Sequence, residues 1–93
     1  MATYAKLVTV HGRVQGVGFR YFVRNVGNRL GLVGNVRNCP DSTVEIVVEG
    51  NEKKIAEFVR QVEKGPSLAW VQRVDVIDIP VRGTYGTFSI EGW

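Results

Sequence analysis

The sequence predicts an α+β sandwich. Two helices pack on one face of a mostly antiparallel sheet, in the order βαββαβ plus a short C-terminal strand. Three observations lead there. Short β-branched runs alternate with two longer segments whose apolar residues recur at helical spacing. Turn-forming residues separate the runs. The chain has 93 residues, enough for one core and not two, so all the elements must pack together as a single domain over residues 1–93.

Residues 4–11, Tyr-Ala-Lys-Leu-Val-Thr-Val-His, form a strand by length and β-branched content. Residues 12–18 hold three glycines and form a loop. From Phe19 the period changes. Phe19, Phe22, Val23, Val26 and Leu30 lie on one face of a helix, with Gly31 as its stop. Residues 32–38 are a second strand, and Pro40-Asp41-Ser42 is a turn. Val44, Ile46 and Val48 alternate with Glu45, Val47 and Glu49 in a third strand. Asn51 is placed to cap a second helix, whose face is Ile55, Phe58, Val59 and Val62 and which ends at Gly65-Pro66. Residues 70–79 are a fourth strand, and Phe88 and Ile90 sit in a short fifth. This order is that of a ferredoxin-like sandwich, a fold that hosts enzymes, RNA binders and metabolite sensors alike.

Composition narrows the function classes. A single cysteine, Cys39, rules out an internal disulfide framework and a zinc knuckle, and suits a reduced, cytoplasmic protein. No apolar run approaches the roughly 20 residues needed to cross a bilayer. The N-terminus lacks the charged and apolar regions of a signal peptide. Charge is unevenly spread. Residues 1–40 carry six basic side chains and no acid, whereas residues 41–93 carry six basic and nine acidic ones. A cationic first half suits an anionic partner, but on charge alone a solvated surface with uneven charges is the better account.

The segment Gly12-Arg13-Val14-Gln15-Gly16-Val17-Gly18-Phe19-Arg20 lies between a strand and a helix start. Glycines there let the backbone turn inward, and consecutive N–H groups with a helix N-terminus make a cradle for an anion. Arg20 falls in the first helical turn, where the helix dipole disfavours a cation unless an anion lies beside it. No Gly-Lys-Ser/Thr is present, and Tyr21 stands where a dinucleotide fingerprint needs its third glycine.

That nine-residue segment resembles the signature loop of the acylphosphatases. Val36-Arg37-Asn38, with Val44-Glu45 and Glu49-Gly50, resembles the family's second motif, and the likeness covers nearly the whole chain. The resemblance implies a ferredoxin-like fold and hydrolysis of carboxyl-phosphate anhydrides (acetyl phosphate, carbamoyl phosphate, the 1,3-bisphosphoglycerate type) to a carboxylate and inorganic phosphate. It implies no metal, no cofactor and no covalent intermediate, inorganic phosphate as a competitive inhibitor, and a monomer with neither nucleic acid nor membrane as partner. By the same resemblance Arg20 binds the phosphate, Asn38 orients the attacking water, and Gln15, Gly16, Val17, Gly18, Phe19 and Arg20 form the loop whose N–H groups hold the phosphate. Two positions depart from the family pattern. Asn35 follows Gly34 where an aromatic is usual, and Ser42 follows Asp41 where glycine is usual. Neither replaces a catalytic group, so both bear on stability.

The chemistry also stands without the resemblance. The only histidine is His11, and the first 40 residues contain no carboxylate, which leaves no acid–base pair for an ordinary phosphate ester. An acyl phosphate needs none. Its leaving carboxylate has a pKa of about 4 and departs as an anion. The loose phosphoryl transition state asks little of a base. Positioning a water and stabilising equatorial oxygens suffice, and the substrate phosphate can take the water's proton. His11, Cys39 and Arg13 are expected to be a strand residue, a turn residue and a loop residue at most weakly involved. Two rival readings remain. An RNA-binding module needs aromatics exposed on its third strand, but that strand is acidic and without an aromatic. A binding domain without turnover is opposed by the presence of both Arg20 and Asn38.

Overall fold

The structure, a computed structural model, describes residues 2–92. Its elements are β1 (Tyr4–Arg13), α1 (Phe19–Arg29), β2 (Val33–Asn38), β3 (Val44–Gly50), α2 (Glu52–Lys64), β4 (Trp70–Asp78) and β5 (Phe88–Ile90). They form one five-stranded sheet in the order β4-β1-β3-β2-β5. Three of the pairings are antiparallel, and only β5 runs parallel, beside β2. The expected βαββαβ sandwich with a short last strand is the one found.

The strand alternation decides which face the helices cover. Val8 and Val10 of β1, Val36 of β2 and Val44, Ile46 and Val48 of β3 are fully buried together with Phe88. Against them pack Phe19, Val23 and Val26 of α1 and Ile55, Phe58 and Val62 of α2. Both helices therefore lie on one face. Each of these side chains contributes about 1.5–3 kcal/mol of apolar burial. The rings of Phe58 and Phe88 meet at 5.4 Å between centroids, joining α2 to the last strand.

The helix ends follow their local chemistry. Asn51 caps α2, its side chain accepting from the N–H groups of Lys53 and Lys54 at 2.9 and 3.2 Å. At the end of α1, Gly31 N–H donates to the Asn28 carbonyl and Leu32 N–H to the Gly27 carbonyl, the double bond pattern that stops a helix at a glycine.

One boundary differs from the sequence expectation by more than a residue. β1 runs to Arg13 and takes in the first glycine of the expected loop. The register against β4 shifts between His11 and Gly12. At Gly12, φ is +131°, and a Cβ would lie 2.1 Å from the Trp70 carbonyl oxygen. Only glycine lets β4 pass this close, so the strand continues through a bulge and the loop shortens to five residues.

The helix-free face is partly covered by the chain after β4. Glu49, 1% exposed, accepts from the N–H groups of Arg82 and Gly83 at 2.9 and 3.3 Å, holding that segment against the sheet. No helix among the described residues is long and apolar enough to cross a membrane.

Candidate active site

The loop after β1 and the turn after β2 come to the same end of the sheet because β1 and β2 both flank β3. Gln15 ties them together. Its carboxamide N–H groups donate to the Cys39 and Thr43 carbonyls, each at 2.9 Å. Between loop and turn opens a cleft of about 510 Å³. Gln15 and Arg20 line it on one side, Arg37, Asn38 and Cys39 on another, and the chain leaving β5 at Glu91 closes the third.

Arg20 enters the cleft from the first turn of α1, a half-buried side chain whose Nη1 donates to the Glu91 carbonyl across a long 3.4 Å. The residue before α1, Gly18, has φ +76° and ψ 15°, a left-handed conformation that an L side chain adopts at a cost. No side chain caps α1, and its first turn has no acidic residue. Its unpaired N–H groups and positive dipole end thus remain available, the reverse of the arrangement at α2.

Asn38 ends β2. Its Oδ1 is buried and has no hydrogen-bond partner among the described residues. A buried oxygen left without any partner costs roughly 1–3 kcal/mol. The turn beyond it is stiffened by Asp41, whose carboxylate accepts from the Thr43 hydroxyl at 2.6 Å and the Thr43 N–H at 3.0 Å. Those hydrogen bonds hold the Asp41 carboxyl below the usual aspartate range. Ser42 is the one non-glycine with positive φ among the described residues, at +77°.

The residues expected in the site divide into groups. Gln15, Arg20 and Asn38 meet in the cleft. Gly16 and Gly18 are exposed in the loop beside it, and Val17 is half-buried against the core. The Phe19 side chain is in the core, which leaves only its backbone for a ligand. Arg13 is exposed at the end of β1 and does not line the cleft. His11 lies on the helix-free face, its Nε2 3.0 Å from Asp75 Oδ2. Asn35 pairs across the sheet with Val47 and Ser89, half-buried on the helix-free face. Sequence reasoning missed the place of Arg37. Its Nε and Nη2 contact one Glu45 oxygen at 2.9 and 2.8 Å, which holds the guanidinium above its ordinary pKa. Adjacency to Asn38 was the available signal, and it is weak because neighbours on a strand point to opposite faces.

A family model described as Acylphosphatase matches residues 6–90. The chain belongs to the acylphosphatase family. An acylphosphatase of Nocardioides sp. is 55% identical over 71 residues, 76% of this chain and 72% of the relative. One of Clostridium acetobutylicum is 38% identical over 84 residues, 90% of this chain and 92% of the relative. The crystal structure of acylphosphatase from Bacillus subtilis superposes with a TM-score of 0.89 at 38% identity, covering 94% of this chain and 97% of that one. Acylphosphatases are hydrolases, and their family supplies the substrate class of this one, small-molecule acyl phosphates. The acylphosphatase fold is the α+β sandwich described above.

Proposed function

We propose that the chain hydrolyses acyl phosphates without a metal, by in-line attack of a water aimed by Asn38 on a phosphate held by Arg20 and the N–H groups of residues 15–20. One observation carries this reading. Asn38, whose buried Oδ1 has no protein donor, lines the same cleft as Arg20, the cation at the uncapped start of α1.

The steps follow from those groups. The guanidinium of Arg20 and the free N–H groups of the α1 start neutralise the phosphate and meet the charge that grows on its equatorial oxygens. The carboxamide of Asn38 accepts from the water and fixes its approach on the side away from the leaving carboxylate. The carboxylate departs as an anion, and the phosphate takes the proton from the water. Gln15 acts at one remove: its two bonds keep the phosphate loop and the Asn38 turn in register. Acetyl, carbamoyl and 1,3-bisphosphoglycerate-type phosphates all fit this chemistry, and inorganic phosphate competes for the same cradle. The reading extends to a cytoplasmic monomer, the single cysteine leaving no pair for a disulfide within the chain.

The test is turnover of benzoyl phosphate in EDTA, with p-nitrophenyl phosphate as the comparison. Benzoyl phosphate is hydrolysed and the ester is nearly inert, with phosphate inhibiting competitively. Arg20→Ala lowers kcat/KM by on the order of 10²–10⁵, and Arg20→Lys falls almost as far, since an ammonium cannot grip two phosphate oxygens at once. Equal rates on the two substrates, or a folded Arg20→Lys protein with near-normal turnover, would overturn the reading.

A further inference from the structure

A second arginine stands in the cleft, and phosphoryl transfer as derived above does not use it. Arg37 lines the cavity together with Arg20 and Asn38 but enters from the end of β2. Its side chain is about half exposed. Glu45, its cross-strand neighbour on β3, accepts the Nε hydrogen at one oxygen, which also lies 2.8 Å from Nη2 in an ion pair. Nη1 makes no hydrogen bond within the described residues. The guanidinium is thus held at its Nε side and left with donors to spend at the other. Among the side chains lining the cleft only Glu91 is acidic, so an anion entering it meets two cations. The space also exceeds what one phosphate needs. About 510 Å³ is the size of cavities that hold drug-sized ligands, so the acyl portion of the substrate lies inside as well.

We infer that Arg37, held by Glu45, reads a second anionic group on the acyl portion, so that the enzyme prefers acyl phosphates whose acyl group bears a carboxylate or phosphate over neutral ones. This rests on the proposed hydrolysis of acyl phosphates at the same cleft. Arg37 is a specificity residue: it touches the end of the substrate away from the reacting phosphorus. The contact is made equally in the ground state and the transition state, so it acts on KM and leaves kcat to Arg20 and Asn38. A half-exposed charge contact is moderate in strength and falls with salt.

The experiment compares benzoyl phosphate with its 3-carboxy and 4-carboxy derivatives, rigid substrates that carry the second charge at two distances. For the wild type, at least one carboxylated substrate has a kcat/KM about three- to tenfold above benzoyl phosphate at low ionic strength, through a lower KM. The preference shrinks as salt is added. In Arg37→Gln the ratio of carboxylated to plain substrate drops to about one, and a denaturant midpoint near that of the wild type shows that the fold is intact. A wild-type ratio of one or below for both derivatives overturns the inference while benzoyl phosphate turnover leaves the proposed function standing. So does a preference that survives Arg37→Gln. If none of the three substrates is hydrolysed, the proposed function falls and the inference with it.

Discussion

Asn38 and Ser42 lie four residues apart and carry opposite kinds of cost. The buried Oδ1 of Asn38 lacks a protein donor, so the free protein gives up hydrogen-bond energy there. Replacing Asn38 with Ala removes the unsatisfied group along with its proposed role in aiming the water. Turnover of benzoyl phosphate is expected to fall by about 10²–10³ in kcat, the range typical when one preorganised polar group of an active site is deleted. Phosphate affinity by titration changes little, and the denaturant midpoint stays level or rises. A mutant with normal kcat would make Asn38 a turn residue only. At Ser42 the cost is backbone strain without function. Its φ of +77° belongs to the left-handed region, where an L side chain costs roughly 1–2 kcal/mol against glycine. The greater freedom of glycine in the unfolded chain offsets part of that gain. Ser42→Gly should therefore raise stability by about 0.5–1 kcal/mol with kcat/KM unaltered, as read by urea titration beside a standard assay.

The contrast between the two helices explains how an element becomes a site. α2 has an asparagine cap and Glu52 in its first turn, so its N–H groups and dipole are satisfied internally. α1 has a left-handed glycine at that position, no cap and no acid. It gives up local stability, and the core contacts of Phe19, Val23 and Val26 hold it in place instead. The strap after β4 is a second element whose stability comes from one side chain. Glu49 accepts two of its backbone N–H groups from a fully buried position on the sheet. In Glu49→Gln one amide N–H group must face donors, which leaves buried polar groups unpaired at about 1–3 kcal/mol. The expected result is a lower denaturant midpoint by that amount and faster amide exchange over residues 79–87. Benzoyl phosphate kcat at a temperature well below unfolding is unchanged, because Glu49 faces away from the helices and the cleft. A large loss of kcat would mean that the strap reaches the site.

At the scale of the whole molecule, ligand binding and folding are linked. A phosphate held by the α1 start binds the folded state only and stabilises it by RT ln(1 + [L]/Kd), about 1.4 kcal/mol at ten times Kd. For a domain of this size that moves Tm by several degrees. Thermal melts in increasing phosphate should therefore rise with concentration at fixed ionic strength, and chloride at equal ionic strength should not reproduce the rise. In Arg20→Ala most of the shift disappears. An identical shift in that mutant would assign the effect to general screening rather than to the cleft. The cationic first half of the sequence is dispersed over the molecule. Lys6 pairs with Asp78, Arg29 donates to Gln61, and Arg24 lies over the Tyr21 ring. Only Arg20 and Arg37 of that block come to the cleft.

The elements were legible in the sequence because each is set by short-range physics. A period of two against 3.6 separates Val44-Ile46-Val48 from Ile55-Phe58-Val62, and a side-chain cap or a glycine stop marks where a helix begins or ends. Arg20 and the glycine loop were legible for the same reason: a strand, a tight turn and a helix start are contiguous in the chain. The extension of β1 through Gly12 was not, since it depends on the Trp70 carbonyl, 58 residues away in sequence and visible only once β4 is paired. Nor were the tie from Gln15 to the Asn38 turn, the burial of the Asn38 oxygen or the entry of Arg37 into the cleft. Sequence alone thus determined the elements, their order and the composition of the glycine loop, all local properties. Which side chains share one cleft was decided by strand order and register, because these bring distant segments within reach and no local preference encodes a distance between them.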